Sequence, residues 1–316
     1  MKKKYAPIAI YTYTRFDFLK SAIRTLRDCP EASASDLFIV SDAANRKEDE
    51  RFVSDIRDYV SDIKGFGSVN LIKRISNLGS FESITQAETQ IISDYGKIIA
   101  LEDDNLVSMN FLKFINSGLD FYENNDSVFS ICGYSPDLTL PTDYNQDFWV
   151  APWHIPWGYG FWKDKYLAFD NKKNLYEKII KNKKEIKRLK SYGLFAYDSI
   201  YLDWKGISPV YDAKVNSHTF THNMFSIAPT KSLVKNIGHD GSGENAKVGN
   251  YFDVEVDDVL KESYGFSNDV FINPQILYEY TNFMDKGVLG KLIKVLGFRR
   301  AFYFIKKRTN DLNKKF

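Results

Sequence analysis

The amino-acid sequence predicts an α/β fold, a mostly parallel sheet flanked by helices, on three observations. Over the first 135 residues, short apolar runs of strand length alternate with segments whose apolar residues recur at helical spacing. Charged residues follow directly after several of those runs, at the edge where open parallel sheets bind ligands. The chain of 316 residues is 44% hydrophobic and 16% aromatic, enough for a substantial core.

The elements follow in order. "PIAIYTY" (7–13) reads as a buried strand, and 18–26 as a helix presenting Leu19, Ala22, Ile23 and Leu26 on one face. "DLFIVSD" (36–42) is a second strand. Residues 48–63 bring Phe52, Ile56, Tyr59, Val60 and Ile63 to one helical face, and "VNLIKRI" (69–75) is a third strand. A helix from about 81 to 93 precedes the strand "KIIAL" (97–101). Ser108 then reads as the N-cap of a helix carrying Phe111, Leu112, Ile115, Leu119 and Tyr122. From 136 the chain becomes rich in Pro, Trp and Tyr without a clear period, and 171–190 reads as a charged helix with a solvated face. The organisation expected is a first half over 1–135, a second half of the same unit over 136–285, and a basic amphipathic tail over 286–316.

Composition excludes several classes. With a net charge of +2 and no basic motif beside a base-stacking module, no nucleic-acid partner is expected. Cys29 and Cys132 give neither a disulfide framework nor zinc-ligand spacing, which points to a reducing, cytoplasmic setting. The start, "MKKKYAPIAIYTY", has too short an apolar run for a signal peptide, and no run approaches the roughly 18 apolar residues of a membrane span.

The most informative stretch is "KIIALEDDNLV". Glu102, Asp103 and Asp104 are adjacent carboxylates that repel one another unless a cation is near, so the choice lies between a solvated turn and a metal site. Arg15 lies just past the first strand and Asp42 at the end of the second. Three strands thus deliver charge to one edge, which favours a site.

These residues, with "NLGS" (77–80), "PWGYGFW" (156–162) and "SLVKNIGHDGSG" (232–243) in that order, resemble the GT-A glycosyltransferases, whose fold is Rossmann-like. The resemblance covers about 5–260. It is closest to bacterial enzymes of surface-polysaccharide assembly, capsule or lipopolysaccharide, related to the N-acetylglucosaminyltransferase that initiates complex N-glycans. It implies transfer from a nucleotide sugar, most simply a UDP-sugar, to a glycan or lipid-linked glycan with inversion.

The resemblance also implies roles. Asp104 would hold Mn²⁺ or Mg²⁺, whose Lewis acidity offsets the charge of the departing diphosphate. Glu102 and Asp103 would face the sugar and ribose or anchor the turn. Asp42 would accept the base's N3 proton, or serve as a helix N-cap or turn residue; Arg15 would contact base or phosphate, or pair on the surface. Asn77 and Gly79 would shape a donor-side loop. Gly158 and Gly160 would lie near donor sugar and acceptor, and His239 would reach diphosphate or metal from a loop that orders over the donor. The sequence departs from the close relatives at 244–246, where "ENA" replaces a His and a Cys. Asp212 would be the general base, although Tyr211 stands where Trp is commoner; Asp198, Asp203 and Asp240 are its rivals.

Two other classes stay open. A sugar-1-phosphate nucleotidyltransferase shares the fold and acidic site, but "YTYTRFD" lacks the expected glycine-rich phosphate loop. An inactive glycan-binding module would show no donor or metal effect. Over 287–316, Val288, Leu292, Val295, Leu296, Phe302 and Phe304 interleave with Lys and Arg. That pattern fits a segment lying on an anionic membrane, or a helix packed on the domain with a solvated basic face.

Overall fold

The computed structural model describes residues 5–169, 174–207, 211–241, 249, 251–298, 300–303, 305 and 307. Its first half alternates strand and helix: β1 (Ile8–Thr12), α1 (Phe16–Arg27), β2 (Asp36–Ser41), α2 (Glu50–Tyr59), β3 (Ser68–Lys73), α3 (Gly79–Tyr95) and β4 (Lys97–Glu102). All of β1 is buried, as a strand covered on both faces must be. Helix α1 buries Leu19, Ala22, Ile23 and Leu26, the expected face. Helix α2 differs in part: Val53 and Ile56 turn inward while Phe52 is half exposed, and Val60 and Ile63 are buried beyond its end, as expected. Helix α3 starts at Gly79 (φ +76°) and ends at Gly96 (φ +81°), both in the left-handed region that glycine adopts without strain.

A short strand, β5 (Asn105–Val107), then precedes α4 (Phe111–Phe121) and β6 (Val128–Cys132). Asn110, not Ser108, is the cap position of α4; the Ser108 hydroxyl instead accepts the Asn110 amide at 3.2 Å. The buried residues of α4 include the expected Phe111, Leu112, Ile115 and Leu119.

The second half supplies β7 (Phe148–Ala151), β8 (Tyr159–Trp162), α5 (Lys163–Leu167), α6 (Asn174–Ile180), α7 (Lys183–Ser191), α8 (Leu194–Trp204), α9 (Tyr211–Thr221), β9 (Phe225–Pro229), β10 (Val234–Asn236), α10 (Pro274–Met284) and α11 (Gly287–Val295). The charged helix expected over 171–190 is two helices, broken where the Asn182 side chain accepts the amides of Lys184 and Glu185 and so caps α7; 171–173 lie outside the described residues.

Eight strands form one sheet in the order β3-β2-β1-β4-β8-β6-β9-β7. The first four are parallel, as are β6 and β9, while β8 and β7 run antiparallel to their neighbours. The sheet therefore crosses residue 136, since β4 pairs with β8. A separate two-stranded ribbon joins β5 to β10, with Asn105 opposite Asn236. No helix of the described residues is long and apolar enough to cross a membrane.

Candidate active site at the acidic sheet edge

Because β1, β2 and β4 are parallel, their carboxyl ends at Thr12, Ser41 and Glu102 share one edge. Glu102, Asp103 and Asp104 turn off that edge together. The Asp103 carboxylate is buried, accepting the Thr12 hydroxyl at 2.9 Å and one arm of the Arg15 guanidinium. The other arm of Arg15 lies 2.9 Å from Asp104 Oδ2. Arg15, expected to reach base or phosphate, thus bridges two carboxylates of the cluster.

The ribbon brings in the second part of the site. Asp104 Oδ1 accepts the side-chain amides of Asn105 at 2.8 Å and Asn236 at 3.2 Å, and its carbonyl accepts the Ile237 amide. Gly238 then passes so close that a Cβ there would sit 2.1 Å from Asp104 Oδ2. Glycine is required by this approach, not by its backbone angle. The late "NIGHDG" segment is therefore laid against the acidic turn, which is why residues 132 positions apart in sequence, Asp104 and Asn236, meet.

Charge is in surplus here. Burial first, then Asp104, Asp103 and Asp212, push the Glu102 carboxyl up to about 8, with Arg15 acting the other way. Burial pushes Asp103 up to about 6, Arg15 opposing and Asp104 adding to the shift. One guanidinium among three carboxylates leaves net negative charge at a half-enclosed edge. Asp212, in the first turn of α9, is near enough to act electrostatically on Glu102. It makes no hydrogen bond or ion pair with the described residues, and burial alone pushes it up to about 6. Its rivals are otherwise engaged: Asp198 pairs with Arg300 at 3.3 Å, and Asp203 accepts the Tyr176 hydroxyl. Asp240 is exposed.

The other expected residues are held as follows. Asp42 is buried, and its two oxygens accept the amides of Ala43, Leu78 and Gly79 between 2.8 and 3.2 Å. It ties the end of β2 to the start of α3. Asn77 donates to the Ala43 carbonyl at 2.7 Å and closes the same junction. Gly158 and Gly160 are packing glycines. A Cβ would meet Val234 at 2.8 Å from Gly158 and Ile115 at 2.7 Å from Gly160, so both are filled by apolar neighbours.

His239 lies between Trp157 and Phe252, with ring centroids 5.6 and 5.4 Å away, and its buried Nε2 has no hydrogen-bond partner among the described residues. Residues 242–248, and with them the "ENA" departure, lie outside the described residues. Sequence reasoning missed Thr12, Asn105 and Asn236, short polar residues whose role depends on strands meeting across the fold. It also missed Arg57, which holds the carbonyls of Ser41, Asp42 and Arg74 at the ends of β2 and β3.

Among the described residues no group of three or more His, Cys, Asp or Glu is placed to hold a metal ion. Hard divalent ions need only one or two protein carboxylates when phosphates and water complete the shell. Asp104, beside the carboxylates of Glu102 and Asp103, fits that smaller demand.

No family model matches the chain, and no curated protein matches it in sequence. Among solved structures it is similar to S. aureus TarS, at 9% identity over 75% of this chain and 37% of that one, with a TM-score of 0.43. It is also similar to the mannosyltransferase PcManGT from Pyrobaculum calidifontis in complex with GDP-Man and Mn²⁺, at 10% identity over 51% and 45%, with a TM-score of 0.35. For S. aureus TarS 1-349 the figures are 11%, 52%, 50% and 0.36. The chain matches from 37% to 50% of the length of those proteins.

Proposed function

We propose that this chain is a glycosyltransferase of the GT-A type that moves a sugar, with inversion, from a nucleotide sugar to a glycan or lipid-linked glycan acceptor. A UDP-sugar is the favoured donor. The observation that carries the proposal is the acidic edge. Three carboxylates at the end of β4 face a single guanidinium, with a fourth, Asp212, without a partner among the described residues and within electrostatic reach. The order of motifs noted in the sequence supports the same reading.

A divalent ion at Asp104 would supply the positive charge that lets the nucleoside diphosphate leave. The chain's own residues do the rest. Asn105 and Asn236 fix the Asp104 carboxylate from one side, and Gly238 keeps the loop on the other. Arg15 holds Asp103 and Asp104 in register. Asp212 takes the acceptor hydroxyl's proton as that oxygen attacks the anomeric carbon opposite the diphosphate. A base whose pKa burial has raised toward neutrality suits that task better than an ordinary exposed aspartate.

The test is a panel of nucleotide sugars with and without Mn²⁺, scored by nucleotide release with an acceptor glycan, and NMR of the product's anomeric configuration. Inversion is expected. A product with retained configuration excludes Asp212 as the base of a single displacement, and no turnover with any donor removes the proposal.

A further inference from the structure

The helical segment after Asp285 is fastened to the body by its basic side chains and shows its apolar ones to solvent, the reverse of a surface helix in a soluble domain. Lys294 is buried and pairs with the buried Asp285 at 2.6 Å, and Asp285 also accepts the Leu194 and Phe195 amides that open α8. Arg300 pairs with buried Asp198 and lies over the rings of Tyr197 and Tyr201. Lys307 donates to the Gly206 carbonyl at 2.6 Å. Gly290 packs so tightly on the preceding turn that a Cβ would lie 1.8 Å from the Asp285 carbonyl oxygen. Three inward cations and one glycine thus set the rotation of the segment.

That rotation turns the apolar side chains out. Leu289, Leu292, Val295, Leu296, Phe298 and Phe302 are each more than half exposed. Tyr278 of α10, also exposed, flanks them and carries Lys291 over its ring at 5.3 Å. Residues 286–316 hold ten Lys and Arg against one acidic residue, Asp311.

We infer that this face docks on an anionic lipid bilayer, its leucines and phenylalanines entering the headgroup boundary while the segment's surplus of Lys and Arg, beyond the three tied inward, draws it to the anionic surface. Charge decides between occupants. A second copy of the chain would bring together two segments that each carry ten Lys and Arg against one acidic residue, which like-charge repulsion opposes. Residues 308–316, "RTNDLNKKF", offer Leu312 and Phe316 as their apolar side chains, too few to cover the face. This inference does not rest on glycosyl transfer and stands or falls by itself.

The experiment is co-sedimentation of the full chain with phosphatidylcholine vesicles, with and without phosphatidylglycerol, beside a Leu292→Glu/Leu296→Glu variant whose changes lie on the exposed face. The wild type should partition onto phosphatidylglycerol vesicles, and raised salt should weaken it. The double variant should lose binding by about tenfold or more, since affinity follows buried apolar area, with unchanged thermal unfolding. Equal partitioning of wild type and variant overturns the inference, as does equal binding to both vesicle types. Light scattering that finds a wild-type dimer and a monomeric variant overturns it too, by assigning the face to a second copy.

Discussion

Asp104 and Asp212 are chemically identical side chains placed in opposite surroundings. Asp104 is held by two amides and a guanidinium, whereas Asp212 has burial and no partner among the described residues. The first arrangement fixes a negative charge in space; the second leaves a carboxylate able to take a proton. Asp212→Asn should therefore keep donor affinity while lowering turnover by roughly 100 to 10,000-fold, the usual cost of losing a general base. In the wild type turnover should rise with pH through about 6, where Asp212 ionises, and steady-state pH profiles of both proteins check this. Normal turnover in the variant would move the role to another carboxylate.

Glu102 gives a prediction about stability at the same scale. Its folded pKa of about 8 lies above the ordinary 4.5, so the folded state binds the proton more tightly. Its contribution is fully present below about pH 4.5 and is lost as pH rises through about 8. Glu102→Gln, measured in chelator by thermal unfolding from pH 4.5 to 8.5, should flatten that decline and leave the variant the more stable protein at the alkaline end. Parallel curves would show that Glu102 is not the titrating group.

At the scale of elements, the site depends on the β5–β10 ribbon as much as on the main sheet. Gly238→Ala forces a methyl into Asp104 and should cost roughly 1 to 3 kcal/mol by overpacking, unless the loop lifts away. Either outcome should abolish metal-dependent donor binding, read by calorimetry; wild-type affinity would mean the close approach is not needed. Much of this level was legible in sequence. The helical faces of α1 and α4 could be read because each element's own periodicity records which side is buried. The ribbon could not, because "NLV" and "VKN" are three-residue strands with no period, and their pairing depends on residues more than a hundred positions apart. The reversal of β8 within the sheet escaped for the same reason. Asp42 illustrates the limit at a single residue: an aspartate after a strand reads equally as a ligand or a cap, and only the amides of Leu78 and Gly79 decide its local partners.

Across the whole molecule, charge is segregated although the net is only +2. The carboxyl edge of the sheet is acidic, and the last helical segment is basic in composition and apolar in exposure. The amphipathic composition of that segment was legible, but its rotation was not. Which side of a helix faces the body is set here by the partners Asp285, Asp198 and Gly206, and none of them announces itself by spacing.

The acidic edge as a metal-assisted donor site is the central claim, and calorimetric titration of UDP-sugars into the wild-type chain and Asp104→Ala, each with and without Mn²⁺, tests it most directly. The wild type should bind one UDP-sugar with an affinity that Mn²⁺ raises, and Asp104→Ala should lose the Mn²⁺ effect while still unfolding cooperatively, at a lower temperature because Arg15, Asn105 and Asn236 lose their partner. An identical Mn²⁺ response in the two proteins, or no binding of any UDP-sugar by the wild type, would contradict it.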